Sequence, residues 1–543
     1  MRDMKAFDHF GVMIDMSRNA VMSIDGLKRF LPLLKKMGYN CVMLYTEDTY
    51  EVEGEPYFGY MRGRYTKAEM KQIDAFAASI GMTVIPCIQT LAHLNGIFRW
   101  DQYPRDCEDI LMVGDERTYE LIDHMFATLS ECFSSRKLHI GMDEAWMLGH
   151  GKYLNKNGYE PTHEIVKKHL ARVCELAEKY GYEVMLWGDM FFRSWNDGKA
   201  YIPECKMPRE IIDSVPDRVI PVYWDYYHTQ ESDYVGMIKN TKQLAKEMWF
   251  AGGAWCWRGL IPHNSFTLES MIPALDACKK QKVRNVFFTM WGDDGAECSH
   301  FSQLPALFYL AEYAKGNKDP ERIKAKFKRF SGIDFDEYMN IECPNQVMPA
   351  GEYPQNPSKF MFYSDYFNDY LDALITKGMG AKYPEYAATL RATAKKSRKY
   401  GYVFDTAAML CDVLEIKFEL GLRTRKAYEA GDKAELERLA KNEYVEVAKR
   451  IKIFAKAFEK QWFMDNKPNG FDVQELRIGA LLYRTDACRR RILDYVSGKL
   501  ERIDELEEKL LPFGTELQMC VTGASPLIAT PNILYMGNVA AWG

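Results

Sequence analysis

The segment Lys137–Gly149, KLHIGMDEAWMLG, is the part around which the rest of the sequence is organised. It is a short apolar strand that ends in two adjacent carboxylates, Asp143 and Glu144, followed by an indole. A hydrophobic pocket can raise the pKa of one acid while the other stays ionised, which is what acid catalysis requires. Side chains alternate between the faces of a strand, so both acids can share a pocket only if the strand ends there and its backbone curls. Gly141 would make that bend easy.

Short apolar strands alternate with helical stretches over about the first 310 residues, which favours a parallel sheet wrapped in helices. The predicted strands are Phe10–Asp15, Cys41–Tyr45, Thr83–Ile88, Leu138–Met142, Val184–Leu186, Val219–Tyr223, Phe250–Ala254 and Val286–Met290. Helical periodicity covers Ile24–Met37, Lys67–Ile80, Tyr119–Cys132, His163–Tyr180 and Thr267–Lys280. These units predict a (β/α)8 TIM barrel, whose catalytic residues lie at the C-terminal ends of the strands.

Polar and aromatic side chains follow every predicted strand, as a barrel active site requires. In strand order they are Asp15 and Arg18, Glu47 and Asp48, Gln89 and His93, Asp143 and Glu144, Trp187 and Asp189, the run Tyr223–Tyr227, Trp255 and Trp257, and Trp291, Asp293 and Asp294. Seven of the eleven tryptophans lie in or beside the last five strands, and indole faces stack on the C–H faces of a pyranose. This repetition favours a sugar-binding pocket, whereas an isolated acidic pair would more simply cap a helix.

The acidic segment also carries a family resemblance. His139–Glu144, HIGMDE, resembles the H-x-G-x-D-E signature of glycoside hydrolase family 20, the retaining β-N-acetylhexosaminidases, with Met142 where many members have Gly or Ala. The resemblance covers about residues 8–315 and implies that the 2-acetamido oxygen of the substrate attacks the anomeric carbon. Glu144 would protonate the leaving oxygen and then deprotonate water. Ionised Asp143 would hold the acetamido N–H and stabilise the oxazolinium ion.

The resemblance extends to residues that would bind the terminal sugar. Ile14–Arg18 is similar to the family's first-strand D-x-x-R, whose arginine binds the 3- and 4-hydroxyls. The fixed fork of donors on Arg18 suits paired hydroxyls. His93 resembles the family's histidine near the acid, and the tryptophans that resemble the pocket lining are Trp187, Trp224 and Trp291.

Two positions depart from the family pattern. Asp293 falls where members often have a glutamate that reads the 4- and 6-hydroxyls, and the shorter side chain reaches less far. The family's pocket tyrosine usually follows strand seven as Y-x-D, but here that strand leads into Trp255, which becomes a candidate sugar contact. The nearest Y-x-D is Tyr223–Asp225 on strand six, so the role of the tyrosine falls to Tyr226 or a neighbour.

The character of the sequence changes near residue 345, which predicts a catalytic barrel over residues 1–344 and a helical domain over residues 345–543. Residues 345–357 are rich in Pro and Gly and predict a linker. Apolar residues at helical spacing then cover Tyr402–Tyr428, Lys433–Phe463 and Val473–Leu510. Some members of the family carry a similar helical appendage, which would cover a barrel edge or form a homodimer.

Composition limits the partners. The 543 residues are 47% hydrophobic and 27% charged, as in ordinary globular proteins. A net charge of −5 argues against a nucleic-acid or anionic-membrane partner. The thirteen cysteines include no CxxC pair, so they predict reduced core residues and no zinc site. Neither a signal peptide nor a run of transmembrane length is evident, which makes the cytoplasm the expected location.

The resemblance therefore implies an exo-acting enzyme that removes terminal N-acetylglucosamine or N-acetylgalactosamine from glycoconjugates without a metal or cofactor. One alternative is a barrel β-glycosidase in which Asp189, Asp225 or Asp293 acts as nucleophile. That mechanism needs roughly 5 Å between the two carboxyl groups, across the sugar, which adjacent acids do not offer. The other alternative is an inactive carbohydrate-binding protein, and the two intact acids argue against it.

Overall fold

The computed structural model describes residues 7–257, 259–293, 295–347, 356–369 and 372–511. Eight parallel strands pair in chain order, and the last closes onto the first. They are β1 (His9–Asp15), β2 (Cys41–Tyr45), β3 (Thr83–Cys87), β4 (Lys137–His139), β5 (Glu183–Trp187), β6 (Ile220–Trp224), β7 (Trp249–Gly253) and β8 (Asn285–Met290). Every predicted strand overlaps an observed one, and the predicted (β/α)8 barrel is confirmed.

Helices connect these strands. They are α1 (Ile24–Met37), α2 (Lys67–Ser79), α3 (Glu116–Cys132), α4 (Lys152–Asn157), α5 (Thr162–Lys179), α6 (Met190–Arg193), α7 (Arg209–Ile212), α8 (Glu231–Thr241), α9 (Asn264–Lys280) and α10 (Leu304–Ala314). Each of the five predicted barrel helices overlaps one of them. A 3-10 helix, His300–Gln303, precedes α10.

The strands are apolar because a parallel barrel buries both of their faces. Side chains from several strands fill the barrel interior, including Met13, Met43, Ile85, Met185, Val222 and Phe287. Trp224 and Trp291 are partly buried and pack against this core. The interior is therefore a packed core, and a substrate has to bind at the strand ends.

The C-terminal part of the described chain is helical, as predicted. Its helices are α11 (Pro320–Ser331), α12 (Phe335–Met339), α13 (Pro357–Tyr363), α14 (Tyr383–Ala394), α15 (Gly401–Lys417), α16 (Leu420–Glu429), α17 (Lys433–Lys441), α18 (Glu443–Asp465), α19 (Phe471–Val496) and α20 (Asp504–Glu507). Further 3-10 helices lie at Asn340–Asn345, Asp372–Leu374 and Met379–Lys382. Each of the three long periodic stretches is divided between two helices, because periodicity persists across short breaks such as Asn442.

The chain divides into two compact units. The barrel unit comprises residues 1–254, 265–291 and 306–319, and the second unit comprises residues 255–264, 292–305 and 320–543. The segments that follow β7 and β8 thus group with the C-terminal helices. The predicted domain boundary at residues 344 and 345 stays a proposal. Most of the predicted linker (348–355) and the end of the predicted helical domain (512–543) lie outside the described residues.

Two compositional expectations can be compared with the structure. All twelve cysteines among the described residues are free thiols, and most are buried. No helix in the described portion is both long and apolar enough to cross a membrane.

Candidate active site

The backbone curls immediately after β4, as the sequence requires for two adjacent acids to share a pocket. The strand ends at His139, three residues earlier than predicted. Gly141, Met142 and Glu144 then take positive φ angles of 74°, 70° and 49°. Left-handed backbone cannot continue a strand, which explains the shorter element. Because this conformation is unfavourable for Met and Glu, the loop stores strain of the kind found at functional sites.

Gln89, which follows β3, fixes this loop. Its Oε1 accepts the Met142 N–H at 3.1 Å, and its Nε2 donates to Asp143 Oδ1 at 2.7 Å and to the Tyr45 hydroxyl at 2.9 Å. A Cβ on Gly141 would lie 2.0 Å from Gln89 Oε1, so only glycine fits there. The sequence placed Gln89 at a strand end but did not predict that it orients Asp143.

Asp143 is buried and paired with His93. His93 Nε2 lies 3.3 Å from Asp143 Oδ2 and 3.9 Å from Glu144 Oε2. Burial alone would lower the pKa of His93, but Asp143, Glu47 and Glu144 outweigh it and raise this pKa to about 10. Burial would likewise raise the pKa of Asp143, yet His93 and the Gln89 hydrogen bond hold it below its usual value. At neutral pH these two side chains form an ion pair.

Glu144 has the opposite protonation state. Burial, together with the negative charges of Asp189 and Asp143, raises the pKa of Glu144 to about 8. The positive charges of His93 and Arg193 oppose this rise. A carboxyl group with that pKa is mostly protonated at neutral pH and can act as a general acid. Asp143 and Glu144 therefore differ in charge although they are adjacent in sequence.

Asp189 and Arg193 hold the backbone and side chain of Glu144 from the β5 side. Asp189 Oδ2 accepts the Glu144 N–H at 3.1 Å and the Arg193 Nε–H at 2.9 Å. Arg193 Nη2 lies 3.5 Å from Glu144 Oε1. Sequence reasoning missed Arg193; its only signal was the spacing of four residues from Asp189, which places both at one face of the short helix α6.

Arg18 lies in a buried cluster after β1. Its Nη1 is 2.8 Å from Glu47 Oε1 and 3.5 Å from Asp15 Oδ2. Its guanidinium lies 5.4 Å from the ring centre of Tyr45 and 5.6 Å from that of Trp291. Burial raises the pKa of Glu47, and Arg18 opposes that change. The Tyr45 hydroxyl, which contacts Gln89, also donates to Glu47 at 3.0 Å, so a hydrogen-bonded chain connects this cluster to Asp143.

Aromatic residues surround these polar groups. Trp187 is almost fully buried, and its ring centre lies 6.1 Å from that of Trp291. Tyr226 stacks on Trp224 with 5.3 Å between ring centres. Burial raises the pKa of Tyr226, and the charge of Asp143 contributes to that rise. Tyr226 is therefore within electrostatic reach of Asp143.

Two predicted sugar contacts belong to the second unit. Trp255 follows β7, is fully buried and contacts Trp257, whose ring is tilted by 30° with 4.4 Å between ring centres. Asp293 follows β8 and is half-buried. The other predicted residues lie in the barrel unit: Arg18, His93, Asp143, Glu144, Trp187, Trp224, Tyr226 and Trp291. The Arg193 guanidinium, which contacts Glu144, lies 5.9 Å from the ring centre of Trp224.

Asp225 and Asp189, two of the carboxylates considered above as nucleophiles, accept hydrogen bonds from groups of the protein. Asp225 is fully buried and accepts hydrogen bonds from the Tyr223 hydroxyl at 2.6 Å, His228 Nδ1 at 2.7 Å and the Tyr227 N–H at 3.0 Å. Those bonds hold its own loop together. Asp189 Oδ2 is bonded to Glu144 N–H and Arg193, so this carboxylate positions the acid.

His93, Asp143 and Glu144 also meet a distance criterion for a cation site. Each offers one ligand atom, and the three atoms lie within 4.8 Å of one another. A metal-bound histidine has to be neutral, whereas the raised pKa of His93 keeps it protonated at neutral pH. A cation that bound to these three side chains would therefore have to displace that proton and break the ion pair between His93 and Asp143.

Comparison with known proteins agrees with the site. Residues 7–204 match the family model for the glycosyl hydrolase family 20 catalytic domain, and residues 335–523 match that for the glycoside hydrolase 20C C-terminal domain. Hexosaminidase D of Bos taurus is 22% identical over 343 residues, which cover 58% of this chain and 94% of the relative. Hexosaminidase D of Homo sapiens is 23% identical over 375 residues, covering 62% and 71%.

Among solved structures, the GH20 exo-β-N-acetylglucosaminidase of Vibrio harveyi aligns with a TM-score of 0.47 and 15% identity, over 62% of this chain and 58% of that one. The β-N-acetylhexosaminidase of Bacteroides fragilis aligns with a TM-score of 0.47 and 16% identity, over 60% and 70%. The two family models together match most of the chain. The chain is a glycoside hydrolase that belongs to family 20 and carries the C-terminal domain of the 20C type.

Proposed function

We propose that this protein is an exo-acting, retaining β-N-acetylhexosaminidase that works by substrate-assisted catalysis. The observation that carries this proposal is the adjacent acid pair after β4: Asp143 is ion-paired with His93 and hydrogen-bonded to Gln89, whereas burial raises the pKa of Glu144 to about 8. The name of two of its relatives, hexosaminidase D, supports the same substrate class.

In the first step, the acetamido carbonyl oxygen of the bound sugar attacks the anomeric carbon. Glu144 gives its proton to the glycosidic oxygen as the bond from that oxygen to the anomeric carbon breaks, and the leaving group departs as an alcohol. The product is an oxazolinium ion with a positive charge next to Asp143. Ionised Asp143 accepts the acetamido N–H and stabilises that charge, which is greatest in the transition state and intermediate.

In the second step, a water molecule attacks the anomeric carbon from the side that the leaving group has left. Glu144, now a carboxylate, takes a proton from that water, and the bond to the acetamido oxygen breaks. Two inversions give net retention, and Glu144 returns to its protonated form. Tyr226, whose pKa is influenced by the charge of Asp143, would donate a hydrogen bond from its hydroxyl to the acetamido carbonyl oxygen.

The terminal sugar would bind between the Arg18 cluster and the aromatic side chains. The guanidinium of Arg18 lies close to Trp291, so hydroxyls that bind Arg18 would place the sugar against an indole face. Trp255 and Asp293 are retained as proposed sugar contacts. A cytoplasmic location and a homodimer through the helical domain also remain predictions.

A β-glycosidase with a carboxylate nucleophile is the second candidate. It is less well supported because Asp225 is bonded within its own loop and Asp189 is bonded to the Glu144 backbone and Arg193.

Turnover of matched aryl glycosides separates the two mechanisms. We expect hydrolysis of the aryl β-N-acetylglucosaminide and galactosaminide but not of the aryl β-glucoside, because only the acetamido sugars carry the internal nucleophile. Equal turnover of the glucoside would contradict substrate assistance and favour a carboxylate nucleophile.

A further inference from the structure

Trp146 is a large apolar side chain left open to solvent beside the acid. It lies two residues after Glu144, and 52% of its surface is exposed. The other tryptophans of the candidate site are buried or partly buried, and Trp187 is only 1% exposed. An exposed indole next to a reacting group is a binding feature that the catalytic steps above do not use.

Two contacts connect Trp146 to the residues around the acid. Its backbone N–H donates to Glu144 O at 2.7 Å, which forms a tight turn between the acid and the indole. The guanidinium of Arg193 lies 4.0 Å from the ring centre of Trp146, a distance typical of a cation–π contact. Arg193 is in turn held by Asp189 and by Gly198 O, each at 2.9 Å. A rigid ring loses little conformational entropy when a ligand stacks on it.

We propose that Trp146 is the binding platform for the leaving group, which is the sugar residue attached to the terminal N-acetylhexosamine. This inference rests on the proposed function. Glu144 has to reach the oxygen that joins the two sugars, so the second sugar must lie on the Glu144 side of the terminal one. The turn and Arg193 both connect Trp146 to Glu144, and the exposed part of the indole suits the C–H face of a pyranose.

Two substrates whose leaving groups both need a proton from Glu144 test whether Trp146 binds the leaving group. One is the β-linked disaccharide of N-acetylglucosamine, and the other is 2-methoxyethyl β-N-acetylglucosaminide. Both leaving groups are alcohols that need the proton of Glu144, but only the disaccharide has a ring to stack on an indole. A change in the acid would therefore affect both substrates, whereas loss of the platform would affect the disaccharide selectively.

For Trp146→Ala, we expect the ratio of kcat/KM for the disaccharide to kcat/KM for the methoxyethyl glycoside to fall about 10-fold or more. Trp146→Phe keeps an aromatic face and should retain most of the native ratio. Tyr159→Ala, which removes an aromatic side chain that is 75% exposed on the same barrel unit, is the matched control and should leave the ratio unchanged.

Equal losses on both substrates would overturn the platform and assign Trp146 to the support of Glu144, while the proposed function would stand. A changed oligomeric state of Trp146→Ala in light scattering, with an unchanged ratio, would overturn it in favour of an interface with a second copy of the chain. If the native protein hydrolysed neither substrate nor the aryl N-acetylglucosaminide, the proposed function would fail and the platform with it.

Discussion

Each unit contains a buried cluster of charged side chains. Carboxyl groups outnumber cations in the cluster of the barrel unit, and cations outnumber carboxyl groups in the cluster of the second unit. In the barrel unit, the carboxyl groups of Asp143, Glu144 and Asp189 are paired, among the described residues, with two cations, His93 and Arg193. In the second unit, the single carboxylate of Glu297 is 2.8 Å from Lys359 Nζ and 2.9 Å from Arg477 Nη1, and all three side chains are at most 2% exposed.

The balance of charge determines what each cluster can do. The buried carboxylate of Glu297 is paired with two cations, one on α13 and one on α19, so it connects its loop to these two helices within the second unit. Where acids outnumber cations, burial and mutual repulsion keep one acid protonated at neutral pH. That excess supports our proposal that Glu144 donates a proton and that the barrel cluster is the functional one.

Removing the donor from the barrel cluster should have the largest effect. We expect Glu144→Gln to lower kcat/KM about 100- to 10,000-fold for alkyl glycosides, whose leaving groups need a proton. Activated aryl glycosides should lose much less, because their leaving groups depart without full protonation. Rates for a series of leaving groups of different acidity measure this. A loss that did not depend on the leaving group would mean that Glu144 is not the acid.

Removing the carboxylate from the second cluster should affect stability. Glu297→Gln leaves two buried cations without their counter-charge, so we expect the free energy of unfolding to fall by about 3–5 kcal/mol. Urea denaturation of the full chain measures it. Glu435→Gln, which breaks a largely exposed pair with Arg438, is the control and should change stability by about 1 kcal/mol or less. Similar losses in the free energy of unfolding for both variants would contradict a structural role for Glu297.

The pH profile of kcat/KM should show the opposite protonation states of Glu144 and Asp143, although the changes in rate are smaller than those caused by removing Glu144. Activity should fall as pH rises through about 8, where Glu144 loses its proton. It should also fall in acid, where Asp143 becomes protonated at a pKa that His93 and Gln89 hold below the usual carboxyl value.

Substitutions of Asp189 and Arg193 should move the alkaline limb of the pH profile of kcat/KM in opposite directions. Asp189→Asn removes a charge that raises the pKa of Glu144, so the limb should move to lower pH. Arg193→Gln removes a charge that lowers it, so the limb should move to higher pH. If neither variant moved the limb, it would belong to another group.

Sequence alone predicted the barrel well because strands buried on both faces are continuous apolar runs with clear ends. It made β4 too long, because left-handed backbone at Met142 leaves no trace in an apolar pattern. It also missed Arg193, since α6 is a single turn without periodicity. The cluster around Glu297 joins residues 180 positions apart in sequence, such as Arg477, and no local pattern predicts such a contact.

The central claim is that ionised Asp143 stabilises a charged oxazolinium intermediate, and inhibitor binding tests it most directly. A thiazoline that mimics the oxazoline and free N-acetylglucosamine should each be titrated against the native protein and Asp143→Asn. The native protein should bind the thiazoline far more tightly than the sugar, and Asp143→Asn should lose about 100-fold or more of that advantage while still binding the sugar. An undiminished advantage of the thiazoline in Asp143→Asn would contradict the account and leave Asp143 with a structural role.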